Sequence, residues 1–157
     1  MALFAAPAVA LAKKYEGFHK VVQRRPVLMA GPYLCPAGAW TIGYGTVVGR
    51  ADYPPITERE ATQMMLDHLV GDLLAVYRLC PVLIGEPEYR ANALASFVYN
   101  LGRGRLQAST LRRKVNERDW AGAEEEFHKW VWAGGRKLPG LIARRAEEAA
   151  MFAGRMS

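Results

Sequence analysis

The hydrophobic pattern changes its period twice in the first half of the chain. From about residue 7 to 16, apolar side chains recur at helical spacing and stop at Gly17, which predicts a first helix. From about 18 to 56, short β-prone pieces alternate with glycines and prolines, which predicts a small twisted sheet of hairpins. Thr57 and Glu60 then form a capping box, and the helical period that follows predicts a connecting helix over about 58–79.

The remainder of the chain, about 86–157, has a helical pattern throughout. Helices are predicted over 88–101, 109–116, 119 to roughly 132 and 139 to about 153, with Ser109 and Asp119 as N-caps. The connections between them are short and contain glycine or proline. The pattern predicts an α+β fold, in which a small β-hairpin lobe is joined by one long helix to a larger helical lobe, with a cleft between them.

Length and composition favour one globular domain over residues 1–157. A chain of 157 residues that is 51% hydrophobic can bury roughly 70% of its unfolded surface. No uncharged apolar run reaches the ~18 residues that a membrane span needs, and no basic residue precedes the apolar start, as it would in a secretory signal. Cys35 and Cys80 form neither a disulfide framework nor a metal-ligand spacing, so we expect no metal site.

The charge balance indicates an anionic partner. Lys and Arg outnumber Asp and Glu by 21 to 15, a net charge of +6, which suits nucleic acid, an acidic polymer or a membrane surface. Part of the excess is local, because residues 103–118 contain six Lys or Arg and only one acidic residue, Glu117, before Asp119. This cluster is either a solvated helix face or a binding surface.

Glu16 is the first candidate for chemistry. It ends the first helix at the margin of the apolar face, where partial shielding from water would favour the protonated carboxyl group. A protonated carboxyl group can act as a general acid. The alternative is an ordinary glutamate at a helix end.

Two further segments could bind a ligand. Residues 35–45 lead a strand into the closely spaced glycines of Gly43-Tyr44-Gly45, which let the backbone approach a ligand, although a plain hairpin with a buried tryptophan fits as well. Residues 92–102 place Ser96 and Asn100 four apart on one helical face. That face could bind sugar hydroxyls, or it could be the polar edge of a core helix.

Together these segments resemble the phage-type lysozymes of glycoside hydrolase family 24. The resemblance implies a lysozyme-like fold and a muramidase that cleaves the β-1,4 bond between N-acetylmuramic acid and N-acetylglucosamine in peptidoglycan. It further implies a phage endolysin that needs no cofactor, is made in the host cytoplasm and acts on the cell wall, which lies in the periplasm of a Gram-negative host. We expect a monomer that does not bind nucleic acid. The matching stretches are 15–18, 35–38, 40–45, 93–102, 109–111 and 130–145.

The resemblance also assigns roles to individual residues. The family's glutamate falls on Glu16, its aspartate-or-cysteine position on Cys35 and its threonine on Thr41. Glu16 would protonate the departing glycosidic oxygen, while Cys35 and Thr41 would hold or polarise a water on the other side of the sugar. Because a thiol is a poor substitute for a carboxylate, Cys35 is as well suited to positioning water as to acting as a base or nucleophile. Gly43, Tyr44, Gly45, Ser96 and Asn100 would contact the glycan.

Two features depart from the family pattern, and an arginine pair in the last helix resembles it. Eighteen residues separate Glu16 from Cys35, ten more than is usual in the family, and the extra residues fall within 19–33, where we expect an enlarged hairpin. Thr46 stands where the family commonly has histidine. One arginine of the pair Arg144-Arg145 is expected to brace Glu16.

Two other functions remain open on the sequence. A lytic transglycosylase would use the same acid and close an anhydro ring instead of admitting water. A non-catalytic module would use the basic helix 109–116 to bind nucleic acid or wall polymer.

Overall fold

The computed structural model describes residues 5–35 and 38–156, and backbone contacts divide the chain into two compact units. One unit, the sheet unit, is Val9–His68. The other, the helical unit, is Met1–Ala8 with Leu69–Ser157. The structure divides into two units, so the single domain over residues 1–157 and the cleft between its lobes both stay predictions.

The described residues of the sheet unit form six short strands between two helices. Helix α1 (Ala6–Glu16) ends in this unit, and helix α2 (Glu58–Leu79) begins in it. The strands are β1 (Val21–Gln23), β2 (Met29–Ala30), β3 (Tyr33–Leu34), β4 (Trp40–Ile42), β5 (Thr46–Val47) and β6 (Ile56–Thr57).

These strands form two antiparallel sheets, not the one predicted sheet. The first has the order β1-β2-β6, and the second has the order β3-β4-β5. Strand β6 was not predicted, because its two residues directly precede α2 and overlap its capping box. That box is present as predicted, since the Thr57 N–H donates to the Glu60 carboxylate and the Glu60 N–H donates back to Thr57 Oγ1.

The helical unit is built around three phenylalanines. The Phe97 and Phe127 ring centroids are 5.8 Å apart, and those of Phe127 and Phe152 are 5.6 Å apart. All three side chains are fully buried, which makes this cluster the core of the unit. They come from α3 (Glu88–Leu101), α6 (Trp120–Phe127) and α7 (Pro139–Phe152), and the unit also contains α4 (Arg103–Gln107) and α5 (Thr110–Asn116).

Two predictions for this unit were wrong. The helix expected to run to about Trp132 ends at Phe127, and an antiparallel hairpin of β7 (Trp132–Ala133) and β8 (Arg136–Lys137) follows. Gly134 and Gly135 both have positive φ, as a two-residue hairpin turn requires. The connection expected at Gly102-Arg103-Gly104 is shorter than predicted, because α4 already begins at Arg103. The predicted caps Ser109 and Asp119 are confirmed, since both side chains accept a backbone N–H of the following helix.

Candidate active site

Glu16 lies beside the glycine turn of the sheet unit. It is the last residue of α1, because Gly17 adopts a φ of +68° and leaves the helix. A Cβ added to Gly45 would lie 3.8 Å from Glu16 Oε2, so the half-buried carboxyl group faces the turn across the bare glycine backbone. The structure thus brings Glu16 close to Gly45, although 28 residues lie between them in the sequence.

The turn itself needs glycine at Gly43. Its φ is +60°, and an added Cβ would lie 2.6 Å from the Ala61 side chain on α2, closer than two carbons can approach. The His19 N–H donates to the Gly43 carbonyl over 3.2 Å, which joins the segment after α1 to the same turn. Steric exclusion and this hydrogen bond therefore set the position of the turn against both helices.

A charged cluster fixes the middle residue of the turn. The Tyr44 hydroxyl donates to Glu58 Oε1 over 2.7 Å, and Lys13 Nζ donates to the same oxygen over 2.9 Å. The hydrogen bond from Lys13 lowers the pKa of Glu58, and the same bond raises the pKa of Lys13. Burial raises the pKa of the Tyr44 phenol. Near neutral pH the cluster therefore consists of a carboxylate, an ammonium group and a neutral phenol.

Thr41 lies at the centre of the second sheet. It pairs with Tyr33 on β3 and Val47 on β5 and is only 4% exposed. Its Oγ1 donates to the Tyr33 carbonyl over 3.2 Å. Since the hydroxyl proton is already used, Thr41 can offer a water only its oxygen lone pairs as acceptors.

Cys35 follows β3 in a tight turn. Its N–H donates to the Ala39 carbonyl over 2.9 Å, and its carbonyl accepts from Gly38 N–H over 2.8 Å. The thiol is free and half-buried, whereas Cys80 is fully buried, and burial raises the pKa of Cys80 to about 11. Residues 36 and 37 of the matching motif lie outside the described residues.

Thr46, which departs from the family pattern in the sequence, has a buried hydroxyl group next to the glycine turn. Its hydroxyl oxygen is buried and has no hydrogen-bond partner among residues 5–35 and 38–156. Such a group is costly unless something satisfies it, for example a bound water. Thr46 lies on β5 directly after Gly45, the glycine that faces Glu16.

Ser96 and Asn100 have different environments in the helical unit. Ser96 is 0% exposed, and its hydroxyl donates to Glu148 Oε1 over 2.8 Å, so the structure does not support the predicted contact between Ser96 and sugar. Asn100 is half-buried, and its Oδ1 accepts from Arg145 Nη2 over 3.0 Å. This bond leaves the Asn100 amide N–H groups as the donors available to a ligand.

The arginine pair is buried around Glu148 on the same helix. Arg144 Nε lies 3.2 Å from Glu148 Oε1, and Arg145 Nε lies 3.0 Å from Glu148 Oε2. Burial raises the pKa of the Glu148 carboxyl group, while the two arginines and the Ser96 hydroxyl act against that rise. The expected brace on Glu16 stays a prediction, and the structure adds Glu148 as a partner that the sequence analysis missed.

Asn100 also lines a cavity of about 720 Å³ in the helical unit. Aromatic and basic side chains surround it, including Arg105, Lys129 and Trp132. Trp132, on the unpredicted β7–β8 hairpin, is largely exposed. Aromatic faces with polar donors around them are suited to binding sugar rings.

Within residues 5–35 and 38–156, no three His, Cys, Asp or Glu side chains lie close enough together to hold a metal ion. No helix in the same ranges combines the length and apolar character that crossing a membrane requires.

An α+β fold with several helices and small antiparallel sheets is that of lysozyme-like proteins. Comparison with known sequences defines the family: the chain belongs to the phage lysozyme family, whose profile matches residues 13–148. It is 34% identical over 146 residues to an endolysin of Acyrthosiphon pisum secondary endosymbiont phage 1, covering 90% of this chain and 92% of the relative. It is 40% identical over 119 residues to a SAR-endolysin of Bacteriophage PS119, covering 74% and 70%.

Solved structures support the same fold. The muramidase domain of SpmX from Asticaccaulis excentricus superposes with a TM-score of 0.76 at 27% identity, covering 93% of this chain and 94% of that one. An endolysin from Escherichia coli O157:H7 phage FAHEc1 superposes with a TM-score of 0.73 at 27% identity, covering 92% and 89%. The predicted lysozyme-like fold class is confirmed, and the protein is a glycoside hydrolase of the lysozyme type that degrades peptidoglycan.

Proposed function

We propose that this enzyme is a muramidase that hydrolyses the β-1,4 bond between N-acetylmuramic acid and N-acetylglucosamine, with Glu16 as the general acid. The observation that carries the proposal is the half-buried Glu16 carboxyl group, whose Oε2 lies 3.8 Å from a Cβ built on Gly45. A sugar that lies against the bare backbone of this turn would bring its glycosidic oxygen within reach of the carboxyl proton.

In the proposed reaction Glu16 gives its proton to the departing oxygen while the bond from that oxygen to the anomeric carbon breaks. A water then attacks the positively charged anomeric carbon and loses one proton to a base or to solvent, and the Glu16 carboxylate takes up a proton before the next turnover. Thr41 and Cys35 both belong to the β3–β4 region of the sheet unit. Thr41 would accept a hydrogen bond from the water, and Cys35 would help to hold it.

Glycan-binding residues are proposed separately for each unit. In the sheet unit, Gly43, Tyr44 and Gly45 would present the turn backbone to the sugar. In the helical unit, Asn100 would donate its amide N–H groups, because Arg145 already occupies its oxygen. We assign Ser96 no role in glycan binding, because its buried hydroxyl donates a hydrogen bond to Glu148.

Product analysis tests which glycosidic bond is cleaved and whether water is added to the product. Purified peptidoglycan would be digested, and the fragments analysed by mass spectrometry with and without borohydride reduction. We expect fragments that end in a reducible N-acetylmuramic acid. Fragments that end in N-acetylglucosamine would refute the assigned bond, and a 1,6-anhydro ring would show a lytic transglycosylase.

We further propose that the enzyme is made in the host cytoplasm, acts as a monomer and has no nucleic-acid partner. Light scattering during size-exclusion chromatography would detect a stable dimer. Salt-sensitive binding to DNA would contradict the expectation about nucleic acid.

A further inference from the structure

The segment inserted between Glu16 and Cys35 has an unusual charge distribution. Residues 19–33 contain Lys20, Arg24 and Arg25 and no aspartate or glutamate. This segment therefore carries half of the net charge of +6 in fifteen residues. A peripheral insertion with no acidic residues is a candidate for contact with an anionic surface.

The structure forms this segment into a hairpin with an exposed tip. Strand β1 pairs antiparallel with β2, Val21 opposite Ala30 and Gln23 opposite Met29. Gln23 Nε2 donates to the Val27 carbonyl over 3.2 Å across the tip, and every residue from 22 to 27 is exposed. The hairpin thus presents residues 22–27, here named the hairpin tip, to its surroundings.

The arginines of the hairpin tip differ from other exposed arginines of the chain. Neither Arg24 nor Arg25 has an ion-pair partner among residues 5–35 and 38–156. In contrast, Arg113 pairs with Glu117 over 2.9 Å, and Arg118 pairs with Glu86 over 2.5 Å. The tip therefore offers two cations that no carboxylate of the described chain neutralises.

The hairpin tip also exposes aliphatic side chains beside these cations. Val22 is 53% exposed and Val27 is 50% exposed. A soluble polyanion would use the arginines and gain nothing from the valines. The interface of an anionic bilayer accepts both, since cations sit at the level of the phosphates while apolar groups enter the acyl boundary.

We propose that the hairpin tip is a membrane-docking element that binds the surface of bilayers containing anionic phospholipids. This role goes beyond peptidoglycan hydrolysis and does not depend on the chemistry assigned to Glu16. Each basic residue near an anionic bilayer contributes about fivefold to partitioning. Arg24 and Arg25 of the hairpin tip therefore give a preference of about twenty-fivefold for anionic over neutral bilayers, and Lys20, which lies just before the tip, raises it to about a hundredfold. Such docking is reversible and would hold the enzyme at a membrane surface.

Vesicle co-sedimentation of the full chain tests the proposal. The vesicles would be phosphatidylcholine alone or phosphatidylcholine with phosphatidylglycerol at low salt. We expect the wild-type protein to favour the anionic vesicles. The R24A/R25A variant should bind them about twenty-fivefold more weakly, while R113A/R118A, which loses the same charge from the helical unit, should bind within about twofold of wild type.

A second variant tests the apolar part of the contact. V22T/V27T keeps the β-branched shape and all charges, and it should weaken the binding that remains when salt screens the arginines. Unchanged melting temperatures would show that each variant is folded. The proposal is overturned if wild type binds both vesicle types equally or if R113A/R118A loses as much binding as R24A/R25A. Loss of binding to purified peptidoglycan by R24A/R25A, with vesicle binding intact, would also overturn it and indicate a wall polymer as the partner.

Discussion

Replacing Glu148 with glutamine should strongly destabilise the helical unit. The carboxylate is fully buried, lies within 3.2 Å of Arg144 Nε and 3.0 Å of Arg145 Nε, and accepts the Ser96 hydroxyl over 2.8 Å. Burial raises the pKa of Glu148, but two buried guanidinium groups face this side chain and favour its ionised form. Glutamine has nearly the same shape but no charge, so both guanidinium groups lose their shared counterion. Removing one partner of a buried ion pair costs about 3–5 kcal/mol of the free energy of unfolding.

The chain offers a matched control in Glu117→Gln. Glu117 pairs with Arg113 over 2.9 Å at the same i,i+4 spacing that relates Arg144 and Glu148, but its pair is more than half exposed. An exposed pair contributes about 0–1 kcal/mol. The difference between the two variants therefore isolates the effect of burial.

Urea unfolding followed by tryptophan fluorescence would measure both free energies, and calorimetry would measure the melting temperatures. Glu148→Gln should lower the melting temperature by about 6–20 °C and Glu117→Gln by at most about 4 °C, at roughly 2–4 °C per kcal/mol for a chain of this size. A Glu148→Gln cost within about 1 kcal/mol of the control would refute the buried ion-pair argument.

Three further outcomes are expected. Cys35→Asp should keep substantial lytic activity and Cys35→Ala should lose most of it, because only aspartate restores an acceptor for water. Loss of turbidity of a peptidoglycan suspension would measure both activities. Full activity of the alanine variant would show that Cys35 only packs. Iodoacetamide at pH 8 should label one thiol of the native protein and none in Cys35→Ser, because burial raises the pKa of Cys80 to about 11; rapid labelling of Cys80 in the folded protein would contradict this. Gly43→Ala should lower the free energy of unfolding by roughly 2–4 kcal/mol, because the added Cβ would clash with Ala61. Gly49→Ala has a similar φ of +70° but open space around the added Cβ, so it should cost only about 1 kcal/mol. Equal costs in urea unfolding would show that backbone strain alone decides the effect.

The local elements of the fold follow from short-range signals in the sequence. Helix α3 (Glu88–Leu101) has the predicted bounds, and α2 begins at the predicted capping box, because periodicity and caps act within a few residues. The β7–β8 hairpin was missed because Trp130 and Trp132 continue the apolar pattern of the preceding helix. The signal for the hairpin is Gly134-Gly135, because two adjacent glycines can adopt the positive φ values of a two-residue turn as well as form a loop between helices.

The candidate site depends on contacts that no local pattern specifies. Glu16 was identified by its motif, but its approach to Gly45 depends on how α1 packs against the turn. Ser96 looked like the polar edge of a helix, and only the fold shows that it faces Glu148 on α7. Arginines followed by glutamate on a helix usually indicate an exposed face, so local pattern alone does not predict that Arg144, Arg145 and Glu148 are buried together.

The most direct test of the proposed chemistry compares Glu16→Gln with wild type in a turbidity assay on purified peptidoglycan. Glutamine preserves the shape of the side chain beside Gly45 but has no proton to give to the glycosidic oxygen, so the melting temperature should be nearly unchanged. General acid catalysis contributes ~10²–10⁴ to a rate, and we therefore expect activity to fall by at least about a hundredfold, with Glu117→Gln as the active control. A folded Glu16→Gln enzyme that retains more than about a tenth of wild-type turnover would contradict the assignment of Glu16 as the acid.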